Sequence, residues 1–432
     1  MTQIRALVAL ACFIVMLSSL SVAQPEEFNY DETKVPAYTL PDPLISDSGN
    51  RITSLRQWRR QRRPELLRHF EEQVYGRCPV PRPDMSFEVR SVEPQALNGS
   101  AVRKQVTAYF SSDKAGTQMV ILIYLPAEVT GPVPVFLGLN FYGNHTIHSD
   151  PGIELSSVWA RNSKDYGVDE NRATEAGRGT ADSRWSVDRI LARGYALATI
   201  YYGDIDPDYD DEFQNGVHPL FYESGQAKPK ADQWGSISAW AWGLSRALDY
   251  FETDPNIDHR QVAVMGHSRL GKTALWAGAQ DERFAIVISN DSGCGGAALS
   301  RRRFGETVKR INTSFPHWFC DNFTKYNDNE AALPVDQHML VAMIAPRPVY
   351  IASALQDRWA DPRGEFLSGY HAGSVYQLHG MTGIVADAMP QIDEPVMNTI
   401  GYHIRTGKHD VTDFDWQSYL DFADKHFGRS VR

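Results

Sequence analysis

Short apolar runs follow one another along the chain from residue 106 onward. They are rich in β-branched and aromatic residues, and they are VTAYF, MVILIYLP, VPVFLGLN, YALATIYYGD, VAVMG, FAIVISND, RPVYIASAL and SVYQLHG. Strands that are buried on both faces of a parallel sheet have this nearly continuous apolar character. Between the later runs, apolar residues recur at helical spacing at 187–193, 237–251 and 270–280. The alternation predicts an α/β fold with a mostly parallel central sheet wrapped by helices.

Two segments interrupt this alternation. Residues 148–184 are polar and lack periodicity, and residues 300–329 are rich in Arg, aromatic and Asn residues. Long irregular segments inside a compact domain often carry function. We therefore expect both to be insertions over the functional face of the sheet.

The N-terminal part of the chain is less regular. Residues 54–75 have apolar positions at near-helical intervals, and Pro64 indicates two helices or a restart there. We expect residues 24–100 to form an arm and helices that pack on one main domain, residues 101–432.

The first 23 residues have a pattern of their own. Arg5 precedes an apolar run at residues 6–17, and small residues ending at Ala23 follow. This is the organisation of a secretory signal peptide. A membrane anchor is the alternative, but it needs about 18 or more apolar residues. We expect cleavage after Ala23, export to the periplasm or the medium, and no membrane association afterwards.

The charge of the chain argues against a nucleic-acid partner. Its formal net charge is −10, and its longest basic run is residues 301–303. Nucleic-acid-binding domains instead present basic patches or stripes. The chain is also expected to be a monomer.

The cysteines allow at most one disulfide. Three of them, Cys78, Cys294 and Cys320, follow the predicted signal peptide and would enter an oxidising compartment. Cys294 and Cys320 are the pair closest in sequence, and three free thiols are the alternative, since spacing alone does not establish geometry.

The strongest chemical motif is GHSRLG at residues 266–271, between the apolar run VAVM and the helix-like run KTALWAGAQ. A serine in a sharp turn between a strand and a helix is a nucleophile elbow. The backbone N–H groups at the start of that helix can face a developing oxyanion. Leu270 stands where G-x-S-x-G has its second glycine, and that glycine follows one residue later. An ordinary strand-helix turn is the alternative, but the context favours Ser268 as a nucleophile.

A serine hydroxyl needs a neighbouring base, and in this kind of fold the chain order is Ser, acid, His. His409 lies between the last predicted strand and an amphipathic terminal stretch, and His403, His426 and His379 are the alternatives.

Two aspartates are candidates for the acid. Asp357 and Asp291 each follow a predicted strand, and either carboxylate could orient the imidazole.

These motifs resemble the glucuronoyl esterases, carbohydrate esterase family 15, and in particular their bacterial members. The resemblance covers the chain from about residue 133 to the C-terminus. It is carried by G-x-S-R-x-G-K at residues 266–272, and by NDSGCGGAALSRRRFGET, QDRWADP and HDVTDFDW.

The resemblance implies an α/β-hydrolase fold with Ser268 as nucleophile and His409 as base. Arg269 would donate to the oxyanion from its backbone and its guanidinium. Fungal members have Glu where Asp291 stands, and some bacterial members have their acid where Asp357 stands. We therefore expect Asp357 to be the acid, with Asp291 as the alternative.

The resemblance also implies a sugar-binding set. Lys272 would reach sugar hydroxyls, Glu306 would hydrogen-bond to the glucuronate ring, and Trp359 would make an apolar contact with it.

The implied reaction is hydrolysis of esters that join (4-O-methyl) glucuronic acid on glucuronoxylan to lignin alcohols. It would proceed through a Ser-His-Asp triad and an acyl-enzyme, with no metal or organic cofactor. One alternative is an acetyl-xylan esterase or other carbohydrate deacetylase on the same fold. The other is a non-catalytic carbohydrate-binding protein.

Overall fold

The computed structural model describes residues 28–82, 84–128, 131–385 and 388–429. The predicted signal peptide, residues 1–23, lies outside the described residues, so export and cleavage after Ala23 stay predictions. Within the described ranges, no helix is both long enough and apolar enough to cross a membrane.

A large sheet is the centre of the structure. The strands, numbered in chain order, are β1 Ser86–Ala96, β2 Ala101–Tyr109, β3 Gln118–Pro126, β4 Val133–Asn140, β5 Val168–Asp169, β6 Arg172–Ala173, β7 Ala196–Tyr201, β8 Ile257–His267, β9 Ile286–Asn290, β10 Val349–Ala354, β11 Val396–Met397 and β12 Ile400–Arg405. Ten of them form one sheet in the order β1-β2-β3-β7-β4-β8-β9-β10-β12-β11, and β5 and β6 form a separate hairpin. From β7 to β12 in this order, every neighbouring pair is parallel.

Helices cover both faces of this sheet. They are α1 Leu55–Gln57, α2 Arg63–Phe70, α3 Val187–Ala192, α4 Ser236–Phe251, α5 Arg269–Gln280, α6 Val308–Ser314, α7 Gln337–Ala342, α8 Pro362–Leu378 and α9 Asp413–Phe427. One hydrophobic cluster includes residues of α4, α5, α7 and α8, and a second includes residues of α3 and α9. Along β4, Val135 and Leu137 belong to the first cluster and Phe136 to the second. The strand is therefore buried on both faces, and the predicted architecture is confirmed.

One local prediction from the apolar pattern is wrong, and one strand was not predicted. SVYQLHG, predicted as a strand, is the end of α8, where Val375 and Tyr376 pack into the core with Ala372 and Phe366 of the same helix. A short apolar run does not distinguish a strand from a buried helix. Conversely, β12 is buried along its whole length although it contains a histidine and an arginine, because those polar side chains have buried partners in place of water.

The helical segment at residues 55–75 is continuous, and Pro64 does not interrupt it. A π-helical turn, Trp58–Arg62, joins α1 to α2, and Pro64 lies in the first turn of α2. The missing N–H of a proline costs little at that position. Arg63 then donates to the carbonyl oxygen of Ala279 at 2.8 Å, near the end of α5. The segment is thereby anchored to the helix that begins at the predicted nucleophile.

The boundary at residue 100 stays a prediction. The structure adds that β1 lies before this boundary and pairs antiparallel with β2 as the edge strand of the main sheet.

Candidate active site

The turn between β8 and α5 is the elbow that the motif predicts. Ser268 is the N-cap residue of α5, with φ 59° and ψ −129°, a conformation that is strained for a residue with a side chain. A Cβ at Gly266 would lie 1.9 Å from the carbonyl oxygen of Leu270. The Ser268 N–H donates to the carbonyl oxygen of Asn290 at 2.9 Å, which ties the turn to the end of β9. Gly266 is therefore required by the close approach of strand and helix.

The other predicted catalytic residues follow neighbouring parallel strands. Asp291 comes directly after β9, Asp357 shortly after β10, and His409 shortly after β12. Parallel strands end at the same edge of a sheet, and this edge is where open α/β sheets place their ligands. The topology thus brings together residues that are far apart in sequence.

His409 is paired with Asp357. Its Nδ1 lies 2.6 Å from Oδ2 of Asp357, whose side chain is 6% exposed, whereas the His409 side chain is 42% exposed. The His409 ring lies 4.4 Å from the ring of His267, the residue before Ser268. Burial lowers the pKa of His267 well below its usual range, so the adjacent ring is neutral and does not repel a protonated His409.

Asp291 has different partners. Its Oδ2 accepts from the backbone N–H of Asp410 at 3.3 Å and from the Arg405 guanidinium at 3.4 Å. Burial, and then the charges of Glu365 and Asp357, raise the pKa of Asp291 well above its usual range, and Arg405 opposes this rise. The contacts place Asp291 beneath the loop that carries the histidine, as a support for its backbone.

One atom from each of Asp291, Asp357 and His409 lies within 4.8 Å of the others. Such a group could hold a metal ion. The direct bond between His409 and Asp357, and the Arg405 cation beside Asp291, favour an acid-base arrangement instead.

The alternative histidines have other contacts. His403 is buried on β12 between the Tyr350 hydroxyl and Asp415, at 2.9 Å from each. His426 lies on α9 at 3.2 Å from the carbonyl oxygen of Asn398, and His379 follows the last residue of α8. The structure brings none of these three, among the contacts of the described residues, to Asp357 or Asp291.

Arg269 lies in an aromatic cage. Its guanidinium carbon is 4.8 Å from the ring of Trp318, 5.6 Å from that of Phe141 and 5.7 Å from that of Phe315. The guanidinium donates to the buried carboxylate of Asp208, and the buried Arg269 Nε has no hydrogen-bond partner among the described residues. Cation–π contacts of this kind restrict the plane of a guanidinium. The bond to Asp208 and the three rings therefore hold the guanidinium in a defined orientation.

The three predicted sugar-binding residues lie together. The Lys272 Nζ donates to the carbonyl oxygen of Ser292 and lies 3.8 Å from a carboxylate oxygen of Glu306. Glu306 also accepts from the side chain of Trp359. Burial raises the pKa of Glu306, and the charge of Lys272 opposes this rise. Because Lys272 is one helical turn from Ser268, the group lies next to the elbow.

Sequence reasoning missed three polar groups beneath the site: Asp208, Arg405 and Glu365. Asp208 belongs to the acid-rich segment GDIDPDYDDEF directly after β7, and its place after a parallel strand was a usable signal. Arg405 is the last residue of β12 and donates to the backbone carbonyl oxygens of residues 406, 408 and 410. No sequence pattern indicates that the His409 loop folds around this guanidinium.

Glu365 lies under the loop that follows β9. Its carboxylate accepts from the backbone N–H groups of Ser292 and Gly293 at 2.7 and 2.9 Å, and from the Ser353 hydroxyl at 2.6 Å. Burial raises the pKa of Glu365 to about 7, and these hydrogen bonds limit the rise.

This raised pKa predicts a pH-dependent stability. Because the pKa of folded Glu365 lies above its unfolded value, the folded protein binds the proton more tightly, and stability falls as the pH rises through about 7. The expected slope is at most about 1.4 kcal/mol per pH unit. Unfolding in urea between pH 5 and 8 measures it, and Glu365→Gln should flatten the curve in that range. If the unfolding free energy of Glu365→Gln changes with pH as steeply as that of the unmodified protein, Glu365 is not the source of the pH dependence.

The three cysteines after the predicted signal peptide are all free thiols in the structure. Cys294 and Cys320 are therefore not joined, and free thiols, the other alternative from the sequence, are observed.

The parallel sheet, the strained elbow after β8 and the His–Asp pair at the same sheet edge define the class of this protein. It is an α/β-hydrolase-fold enzyme.

Comparisons with known proteins identify the family. The family model of fungal glucuronyl esterases matches residues 192–380. The carbohydrate esterase MZ0003 from an unknown prokaryotic organism is 55% identical, over 94% of this chain and 93% of its own. Among solved structures, a promiscuous CE15 esterase from a marine bacterial metagenome has a TM-score of 0.88 at 56% identity, covering 93% of this chain and 100% of its own. The glucuronoyl esterase from Solibacter usitatus has a TM-score of 0.87 at 50% identity, covering 92% and 100%.

The chain belongs to carbohydrate esterase family 15, the glucuronoyl esterases, and it is a carboxylic ester hydrolase.

Proposed function

We propose that the protein hydrolyses esters that join the carboxyl group of (4-O-methyl) glucuronic acid on glucuronoxylan to the alcohols of lignin. The observation that carries this proposal is the group formed by Lys272, Glu306 and Trp359 beside Ser268. A cation, a carboxylate and an indole face together suit a ring that bears several hydroxyls. A substrate acyl group as small as acetate would leave these groups unused.

In the proposed reaction, the Ser268 oxygen attacks the ester carbonyl, and His409 takes the hydroxyl proton. Asp357, at 2.6 Å from the Nδ1 of His409, holds the ring in the required tautomer and stabilises the imidazolium that forms. The backbone and guanidinium N–H groups of Arg269 stabilise the negative charge on the carbonyl oxygen. The Arg269 side chain is 23% exposed, so a substrate can reach part of it.

Collapse of the tetrahedral intermediate breaks the bond to the alcohol, which leaves with the proton from His409. A water molecule then gives a proton to His409 and attacks the acyl-enzyme. The second collapse releases the glucuronic acid and returns the proton to Ser268. The esterified substrate carries no charge on its carboxyl group, so the net charge of −10 does not oppose binding.

Replacing Lys272 with Met separates glucuronoyl esterase activity from simple esterase activity. We expect the KM for a benzyl glucuronate ester to rise about 10- to 100-fold, because a charged hydrogen bond to the sugar is worth about 1.5–3 kcal/mol. Hydrolysis of an aryl acetate should change by less than about threefold, since acetate has no ring to bind. Steady-state kinetics on both esters test this, with the exposed Lys114→Met as the control variant.

The two alternative functions give other results in the same assay. An aryl acetate that is by far the better substrate of the unmodified protein would support a deacetylase. Binding of the glucuronate ester without turnover of either ester would support a carbohydrate-binding protein. Equal losses on both esters in the Lys272 variant would contradict a sugar-binding role for this residue.

A further inference from the structure

Asp208 lies behind Arg269 and is completely buried, with 0% of its side chain exposed. Its Oδ2 accepts from the Arg269 guanidinium and from the Tyr202 hydroxyl, the latter at 2.9 Å. Its Oδ1 accepts from His317 at 2.9 Å and from the Trp318 indole at 2.7 Å. The donors come from three parts of the chain: α5, the segment after β7, and the insertion at 300–329.

Asp208 and Arg269 are both ionised and form a buried ion pair. Burial by itself would raise the pKa of Asp208, but the hydrogen bond from His317 and the charge of Arg269 lower it below its usual range. Burial would lower the pKa of Arg269, and Asp208 raises it. Removing one partner from such a pair leaves an uncompensated buried charge, so each side chain constrains the other strongly.

Free rotation would prevent Arg269 from acting as a preorganised donor. An arginine side chain has about 2 kcal/mol of rotamer entropy, and electrostatic stabilisation of a transition state requires donors that are already oriented. The three aromatic rings restrict the guanidinium plane, but rings alone do not select a direction within that plane. The bond to Asp208 selects that direction, because it is made by one terminal nitrogen of the guanidinium.

We propose that Asp208 is a positioning residue that fixes the Arg269 guanidinium for the oxyanion, and that His317 and Trp318 hold Asp208 in place. Asp208 does not touch the reacting atoms, so it acts only through Arg269. The proposal rests on the proposed function, in which Arg269 stabilises the oxyanion. It also gives residues 300–329, which supply His317 and Trp318, a role in catalysis.

The test is a double-variant cycle of Asp208→Asn and Arg269→Met on the benzyl glucuronate ester. We expect Asp208→Asn to lower kcat about 10- to 100-fold with a change in KM below about threefold. In the Arg269→Met background, the same change should lower kcat by less than about twofold. Additive losses would overturn the positioning role of Asp208. Full activity of Arg269→Met alone would instead contradict the proposed function of Arg269.

Asp336→Asn is the matched control. Asp336 is also completely buried and paired with an arginine, Arg301, at 3.2 Å, at the start of α7. We expect this variant to lower stability but to leave the kcat of the folded protein unchanged. An equal loss of kcat would show that disturbing any buried ion pair has this effect, and would overturn the proposal.

Trp318→Phe provides a second test if Asp208→Asn does not fold. It removes the indole donor to Asp208 and keeps an aromatic ring against Arg269. We expect kcat to fall about 3- to 10-fold, and this loss should also disappear in the Arg269→Met background. If Trp318→Phe lowers kcat equally in the Arg269→Met background, the indole does not act through Arg269, and the proposal is contradicted.

Discussion

Replacing Ser268 with Ala should lower kcat for the benzyl glucuronate ester by about 10⁴- to 10⁶-fold. The reason is that the remaining groups have no nucleophile to position, and only oxyanion stabilisation and binding would contribute to the residual rate. Binding of the ester should persist within a few-fold, because Lys272, Glu306 and Trp359 are unchanged. Steady-state kinetics and calorimetric titration with the ester measure the two quantities.

Ser300→Ala is a suitable control for this substitution. The Ser300 hydroxyl is buried and, in the part of the chain that the structure describes, has no hydrogen-bond partner, so its removal should change kcat by less than about twofold. Turnover that survives in the Ser268 variant would refute the nucleophile assignment. Loss of ester binding together with turnover would indicate damage to the fold, which thermal unfolding can confirm.

Replacing Asp357 with Asn should lower kcat by about 10³- to 10⁴-fold. Asn can no longer hold the tautomer of His409 in which Nδ1 carries the proton, and it offers no charge to stabilise the imidazolium. Asp291→Asn should lower kcat less, about 10-fold, because Asp291 bonds to the Asp410 backbone and to Arg405, and no hydrogen bond joins it to the His409 ring among the described residues. Comparing kcat of the two variants measures the difference.

A larger loss for Asp291→Asn would reverse the assignment of the acid. The two replacements are matched in size and burial, so unfolding in urea can separate a loss of stability from a loss of turnover. Equal losses that are not additive in the double variant would indicate that both carboxylates act on the same imidazole.

The elbow and most of the sheet were predictable from local patterns. Strands such as β4 are buried on both faces, which forces a continuous apolar run, and the approach of β8 to α5 requires glycine at 266. The end of α8 was not predictable, because its apolar residues fit a strand or a buried helix equally well. β12 was missed because burial of His403 depends on Asp415, which lies in α9.

The sequence by itself determined the fold class, the elbow at Ser268 and the short list of its partners, since these depend on neighbouring residues and on chain order. Only the tertiary structure shows which of the two aspartates lies against the His409 ring, and it is Asp357. Asp291 and Asp357 both follow parallel strands, and which carboxylate meets His409 depends on how the loops after β9, β10 and β12 pack on Arg405. The same holds for Asp208: its burial and its bond to Arg269 arise from segments that are distant in sequence and meet only where the parallel strands end.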